Sequence, residues 1–389
     1  MSESQADAPA VDAAELASWL RAGESFTVLD VRNRDEFESW HVDGPSVEAV
    51  QTPHQQFIAA RARGTTEDLV PDGPEPVLVV CGVGEASAEV ATQLRETGVD
   101  ARNLAGGMAA WARAYEAVDI PTATGTVRQY QRPSSGCLAY LLVSDGEAAV
   151  VDPLRAFAHR YAEDSAAHDA TIEYAIDTHV HADHVSGVRT VADATGADVV
   201  LPAGVTDYGI DLDLDADQLL ADGDTVGVGR LALETLALPG HTPEAVGFRV
   251  VVDEHGDLLL AGDTLFLDSV ARPDLAVEAG AMASMARNLF ATLSELTNLP
   301  DETRVAPGHV ATATSADSAG RYLDTVGDLR QRLDVLSLSE DAFVAQLTDS
   351  MPERPANDAA IRRINLGQES IDDEAAFDLE LGPNNCAAQ

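Results

Sequence analysis

Three histidines and an aspartate, His179, His181, Asp183 and His184, stand within six residues, directly after the apolar run in EYAIDT. A chain built this way must adopt a fold that gathers those side chains at the end of a strand. Imidazole nitrogen and carboxylate oxygen both suit a divalent ion of borderline hardness. Further ligand types recur downstream, each after a strand-like run: His241 in LALPGHTPEAVGF, Asp263 in LLLAGDTLF and His309 in RVAPGHV. Twice the histidine follows Pro-Gly, a turn able to swing a side chain from a strand tip into a shared site. Five of the ten histidines belong to this pattern, whereas His54, His159, His168 and His255 read as ordinary surface or core residues.

The chain ahead of this region has a different rhythm. Helical spacing over 11–22 precedes the short apolar run FTVLDV, and a second run, EPVLVVCG, leads into the helical stretch ASAEVATQLRETG. ARNLAGGMAAWARAYEA then reads as strand, tight Gly-Gly turn and helix. Strand alternating with helix predicts a parallel sheet with helices on both faces. Pro, Gly and Thr interrupt the pattern in VDIPTATGTV, so the boundary is placed at domains 1–120 and 121–389. Beyond it come paired strands, at CLAYLLVS with EAAVVDP and at TVGVGRLALETLAL with GFRVVVDEHGDLLLAGD, where VDEHGD suits a hairpin connection. From about 315 onward the pattern is mostly helical.

Charge narrows the function. The 24 basic residues, all arginine, face 66 acidic ones for a formal net charge of -42. A field of that sign repels nucleic acid and anionic membrane surfaces, which excludes both as partners. Acidic residues are spread along the whole chain, which suits a surface adapted to concentrated salt better than a cation-buffering tail. Cys81, Cys137 and Cys386 are too far apart for a disulfide framework or a CxxC zinc site. The opening residues show no basic or apolar targeting segment, and no apolar run reaches membrane-span length, so a cytoplasmic location is expected.

HVHADH, PGHT, GDTLF and PGH, in that order, resemble the metallo-β-lactamase superfamily over about 128–389. The resemblance implies an αββα four-layer sandwich, two β-sheets face to face and flanked by helices, with metal at one edge. Two groups in that superfamily share all seven ligand-type positions: hydroxyacylglutathione hydrolases (glyoxalase II) and persulfide dioxygenases. TLFLDSVARPDL after Asp263 is similar to the GRPDL stretch of the dioxygenases, with Ala271 in place of the usual Gly, and no CGRFFEG-like run of glyoxalase II is present. ERPANDAAIRRINLG and LELGPNNCA also resemble dioxygenases that occur with rhodanese domains.

The dioxygenase resemblance implies one Fe(II) held by His179, His241 and Asp263, with His181, Asp183, His184 and His309 around it. Two imidazoles and one carboxylate on one face of the ion leave positions for a persulfide and for O2. The implied reaction converts a low-molecular-weight thiol persulfide to thiol and sulfite. Arg272 then serves either a substrate carboxylate or a structural ion pair with Asp274. The alternative is a glyoxalase II-like thioester hydrolase with two Zn(II), in which His309 and its neighbours bind the second metal. A sulfur-carrier or adaptor protein with a vestigial metal site is a third reading, opposed by the intact ligand set. A homo-oligomer is compatible with any of them.

VLDVRNRDEFESWHVDG, VLVVCGVGEAS and NLAGGMAAW resemble a single rhodanese domain over about 11–117. In that family a cysteine at a strand tip carries a persulfide sulfur in a loop of backbone amides, and Cys81 matches it. Amides near a helix N-terminus favour the thiolate. Active rhodaneses often carry arginine in this loop where Gly82 and Ala86 stand here, and Glu85 adds a negative charge. Thiosulfate, a dianion, should therefore bind poorly. Cys137 and Cys386 read as structural or incidental.

Overall fold

The computed structural model of the chain describes residues 9–211, 218–253, 256–276, 279–349, 351–352, 354–382 and 386–388. It divides into two compact units. One comprises residues up to Glu116 together with Arg132–Ser135, and the other comprises Ala117–Gln131 and Gly136 onward.

The first unit carries a parallel sheet in the spatial order Ala10–Val11, Ala101–Leu104, Val77–Val80, Phe26–Asp30, Val47–Gln51. Alternation along the strands splits its apolar residues between two faces. Phe26, Val28, Leu78 and Val80 pack with Leu16, Trp19, Met108 and Trp111 from the helices Ala13–Ala22 and Gly107–Ala112. Leu29, Val77 and Val79 pack the other way, against Phe57, Val90 and Leu94 from the helices His54–Arg63 and Glu85–Glu96. The parallel α/β arrangement expected from the sequence is the one observed.

The second unit has two sheets. One is ordered Leu219–Leu220, Asp198–Pro202, Thr171–Ile176, Glu147–Val151, Leu138–Ser144, Thr126–Gln131, Glu116–Pro121. The other is ordered Thr225–Val228, Leu231–Ala237, Val246–Asp253, Gly256–Gly262, Arg304–Pro307, Asp324–Thr325. Residues of both sheets, among them Leu138, Tyr140, Ile176, Phe248, Leu258 and Leu260, interleave in one buried core. On the far side of the second sheet, Leu259, Ala261 and Val305 pack against Ala286, Leu289 and Leu293 of the helix Met282–Leu296. The helices Ala158–Ala167 and Val188–Thr195 lie against the first sheet, which completes the αββα layering.

Residues 254–255, the centre of the VDEHGD connection, lie outside the described residues, as do 383–385 of the LELGPNNCA stretch. The helical pattern from about 315 begins later than its spacing suggests, at Val326. Before it, the Asp317 side chain accepts from Ala319 N and Arg321 N, which captures a turn, and Asp324–Thr325 pairs with Arg304 and Val305. The Thr325 hydroxyl then caps the helix by accepting from Asp328 N. No helix among the described residues is long and apolar enough to cross a membrane.

Candidate metal centre

The ligand-type residues sit at strand ends because each follows a strand directly. The strand Thr171–Ile176 runs into a loop, 177–187, that carries His179, His181, Asp183 and His184. Asp263 follows the strand Gly256–Gly262, and His309 follows its parallel neighbour Arg304–Pro307. His241 comes off the turn after Leu231–Ala237. All seven side chains are buried.

His179 Nε2, His241 Nε2 and Asp263 Oδ2 are buried without a hydrogen-bond partner. They lie within 4.8 Å of one another, and Asp263 Oδ2 is 3.8 Å from each imidazole nitrogen. Orphaned lone pairs facing one point are costly unless something fills the point. Two imidazoles and a carboxylate fit a divalent ion there. Burial, with the neighbouring histidines His181 and His241, holds His179 well below the ordinary histidine pKa, and burial lowers His241 as well. Both rings are thus kept in the neutral form that a metal requires.

The remote nitrogens fix the tautomers. His241 Nδ1 donates to the carbonyl of Arg272 at 3.0 Å. His179 Nδ1 lies 2.9 Å from Thr178 Oγ1, whose proton goes to Asp152 Oδ2 at 3.0 Å. Each arrangement leaves Nε2 as the available lone pair. Space is equally restricted: a Cβ on Gly262, at φ +49°, would lie 2.8 Å from Thr178 Oγ1. A Cβ on Gly308 would lie 2.5 Å from Asp263 Oδ1.

The other four residues are engaged differently. His309 Nδ1 is 2.5 Å from Asp263 Oδ1, and its Nε2 is 2.8 Å from Asp183 Oδ2. Burial opposes charge on His309, but Asp263 and Asp183 hold its pKa well above the ordinary value. His184 Nδ1 also meets Asp183 Oδ2, at 3.0 Å, and His181 Nε2 meets Asp152 Oδ1 at 3.1 Å. His181 Nδ1 and His184 Nε2 have no hydrogen-bond partner. Arg272 is fully buried, with its guanidinium on both carboxylate oxygens of Asp274 and on the Pro352 carbonyl.

Several contributors had no signal in the spacing of the motifs. Asp152, at the tip of Glu147–Val151 with φ 53°, also accepts from Thr178 N at 2.7 Å. Cys137 is buried within reach of Asp183, His184 and His309, and Cys386 within reach of Asp183, Asp263 and His309. Burial alone would push the Cys137 thiol up, but His309 draws it down to about 7. In the first unit Cys81 is buried at the end of Val77–Val80, where its Sγ accepts from Gly84 N and Ser87 Oγ at 3.1 Å each.

The metallo-β-lactamase superfamily matches residues 133–309, and the rhodanese-like domain family matches residues 12–114. Persulfide dioxygenase ETHE1 of Homo sapiens, a mitochondrial protein, is 31% identical over 224 residues, 56% of this chain and 78% of that protein. Hydroxyacylglutathione hydrolase of Rhodobacter capsulatus is 32% identical over 198 residues, 49% of this chain and 72% of that protein. The crystal structure of ETHE1 from Myxococcus xanthus superposes with a TM-score of 0.51 at 26% identity, covering 62% of this chain and 99% of that one. The chain belongs to the metallo-β-lactamase superfamily, as a persulfide dioxygenase-like member, related to glyoxalase II, that also carries a rhodanese-like domain.

Proposed function

We propose that the second unit is a persulfide dioxygenase with one Fe(II) on His179, His241 and Asp263, and that Cys81 carries sulfur in the first unit. The single observation behind the one-metal reading is His309, whose two ring nitrogens are both taken by carboxylates. That pairing suits a residue that holds Asp263 better than one that binds a second ion. Bound iron would supply open positions for a thiolate-type sulfur and O2, together with redox capacity. Asp183 anchors His309 and His184, and Thr178 and the Arg272 carbonyl aim the two ligand rings. With its guanidinium buried on Asp274, Arg272 fits the structural ion pair of its two readings. The proposed overall reaction is R–S–SH + O2 + H2O giving R–SH, sulfite and two protons.

A glyoxalase II-like thioester hydrolase with two Zn(II) draws on a specific feature too, the unpaired His181 Nδ1 and His184 Nε2. Metal analysis of natively purified protein, followed by an oxygen electrode assay with a low-molecular-weight persulfide, separates the two. One iron per chain with oxygen uptake is expected. Two zinc ions with thioester hydrolysis and no oxygen uptake would replace the dioxygenase by the hydrolase.

A further inference from the structure

The loop that carries four of the seven ligand-type residues is irregular, so its backbone groups must find partners elsewhere. Side chains supply them: Asp152 accepts from Thr178 N, Glu244 from Val180 N at 3.0 Å, and Glu380 from Val185 N at 2.9 Å. Asn365, the last residue of the helix Asp358–Asn365, does more than any of these. Its Oδ1 accepts from Ser186 N at 2.9 Å, while its Nδ2 donates to the carbonyls of both His181 and His184 at 3.0 Å. One carboxamide thereby brackets Asp183 from both sides in the chain. The helix is itself fixed, since Ile361 and Ile364 are buried in a cluster with Val185.

We propose that Asn365 is a positioning residue for the metal centre, acting through Asp183. The proposal rests on the reading of His179, His241 and Asp263 as the ligands. From the bracketed loop, Asp183 Oδ2 reaches His309 Nε2 at 2.8 Å, and His309 Nδ1 reaches Asp263 Oδ1 at 2.5 Å. Holding Oδ1 there is what turns Oδ2 toward His179 and His241. Asn365 thus sets the orientation of a ligand that it never touches. Only a carboxamide meets the three demands at once. Aspartate would set an oxygen against two carbonyl oxygens, and an aliphatic side chain would leave three backbone groups unpaired.

The test is Co(II) binding to the metal-free full chain, measured by visible absorption in competition with a chelator, for N365A and N365D alone and combined with D183A. N365A should bind Co(II) about tenfold more weakly with altered absorption bands, and N365D more weakly still. In the D183A background, N365A should change affinity by less than about twofold, because the route through Asp183 is already cut. Unchanged binding by N365A, or the same loss in both backgrounds, would overturn the proposal. A measurement on the unaltered protein guards against a variant that fails to fold. Coupling is reciprocal, so Co(II) should slow hydrogen exchange at the Ser186 amide, and unchanged exchange there would also overturn it. Absence of Co(II) binding by the unaltered chain would instead remove the metal-centre reading itself.

Discussion

His309 stands with Nδ1 2.5 Å from Asp263 Oδ1, while the other oxygen of the same carboxylate faces His179 and His241 at 3.8 Å. The carboxylate is divided between a side that is held and a side that is offered. Loss of the holding partner should therefore weaken the centre without abolishing it. His309→Ala should keep most of the bound metal and lose roughly 10–100-fold in activity. His179→Ala, His241→Ala and Asp263→Ala should each remove the metal, since one of three protein ligands disappears. Metal content and oxygen uptake on the same preparations check this. Complete metal loss in His309→Ala would make that residue a ligand.

The two proposed activities should separate. Cys81 and the histidine site belong to different units, and the Cys81 sulfur accepts from Gly84 N and Ser87 Oγ of its own loop and helix. Cys81→Ser should abolish sulfurtransfer and leave oxygen uptake with a supplied persulfide nearly unchanged. Ser87→Ala should slow sulfurtransfer about tenfold, the worth of one hydrogen bond of about 1.5 kcal/mol. A folded Cys81→Ser protein that lost both activities would contradict the two-site reading.

Much of the fold was legible because it depends on local order. FTVLDV and EPVLVVCG are short apolar runs between helical stretches, and they became neighbouring parallel strands. EYAIDT announced a strand whose end would present His179, and the same logic placed Asp263 and His309. The groups that brace the site were not legible for a reason of distance. Glu380 reaches Val185 across 195 positions and Asn365 reaches His181 across 184, so no spacing in the sequence marks them. Cys137 read as structural or incidental for the same reason, lying 46 positions from Asp183. Arg272 was readable in type but not in its surroundings, because its burial and its contact with Asp274 arise only in the fold.

The charge balance makes a prediction about solvent. With a formal net charge of -42, repulsion among acidic groups should destabilise the compact state in dilute buffer. Screening shortens the reach of that repulsion from about 30 Å at 0.01 M to about 3 Å at 1 M ionic strength. The melting temperature should accordingly rise steeply between dilute and molar KCl. A flat response would remove the salt-adapted reading of the surface and favour specific cation binding instead.

The orientation of His179 leads to the sharpest test of the hydrogen-bonded surroundings. Thr178 Oγ1 has a single proton, which it gives to Asp152 Oδ2 at 3.0 Å, so toward His179 Nδ1 at 2.9 Å it acts as acceptor. That fixes the proton on Nδ1 and leaves the Nε2 lone pair for the ion. Thr178→Val keeps the shape but leaves a buried N–H unpaired, at a cost of about 1–3 kcal/mol, and frees the ring to turn. Metal affinity in chelator competition should fall roughly 10–100-fold. Thr178→Ser, which restores the hydroxyl, should recover most of it. Gly262→Ala should act in the same direction by a different route. Its new Cβ would lie 2.8 Å from Thr178 Oγ1, and its φ of +49° disfavours any side chain. Wild-type affinity in Thr178→Val would show that this hydroxyl does not control the ligand.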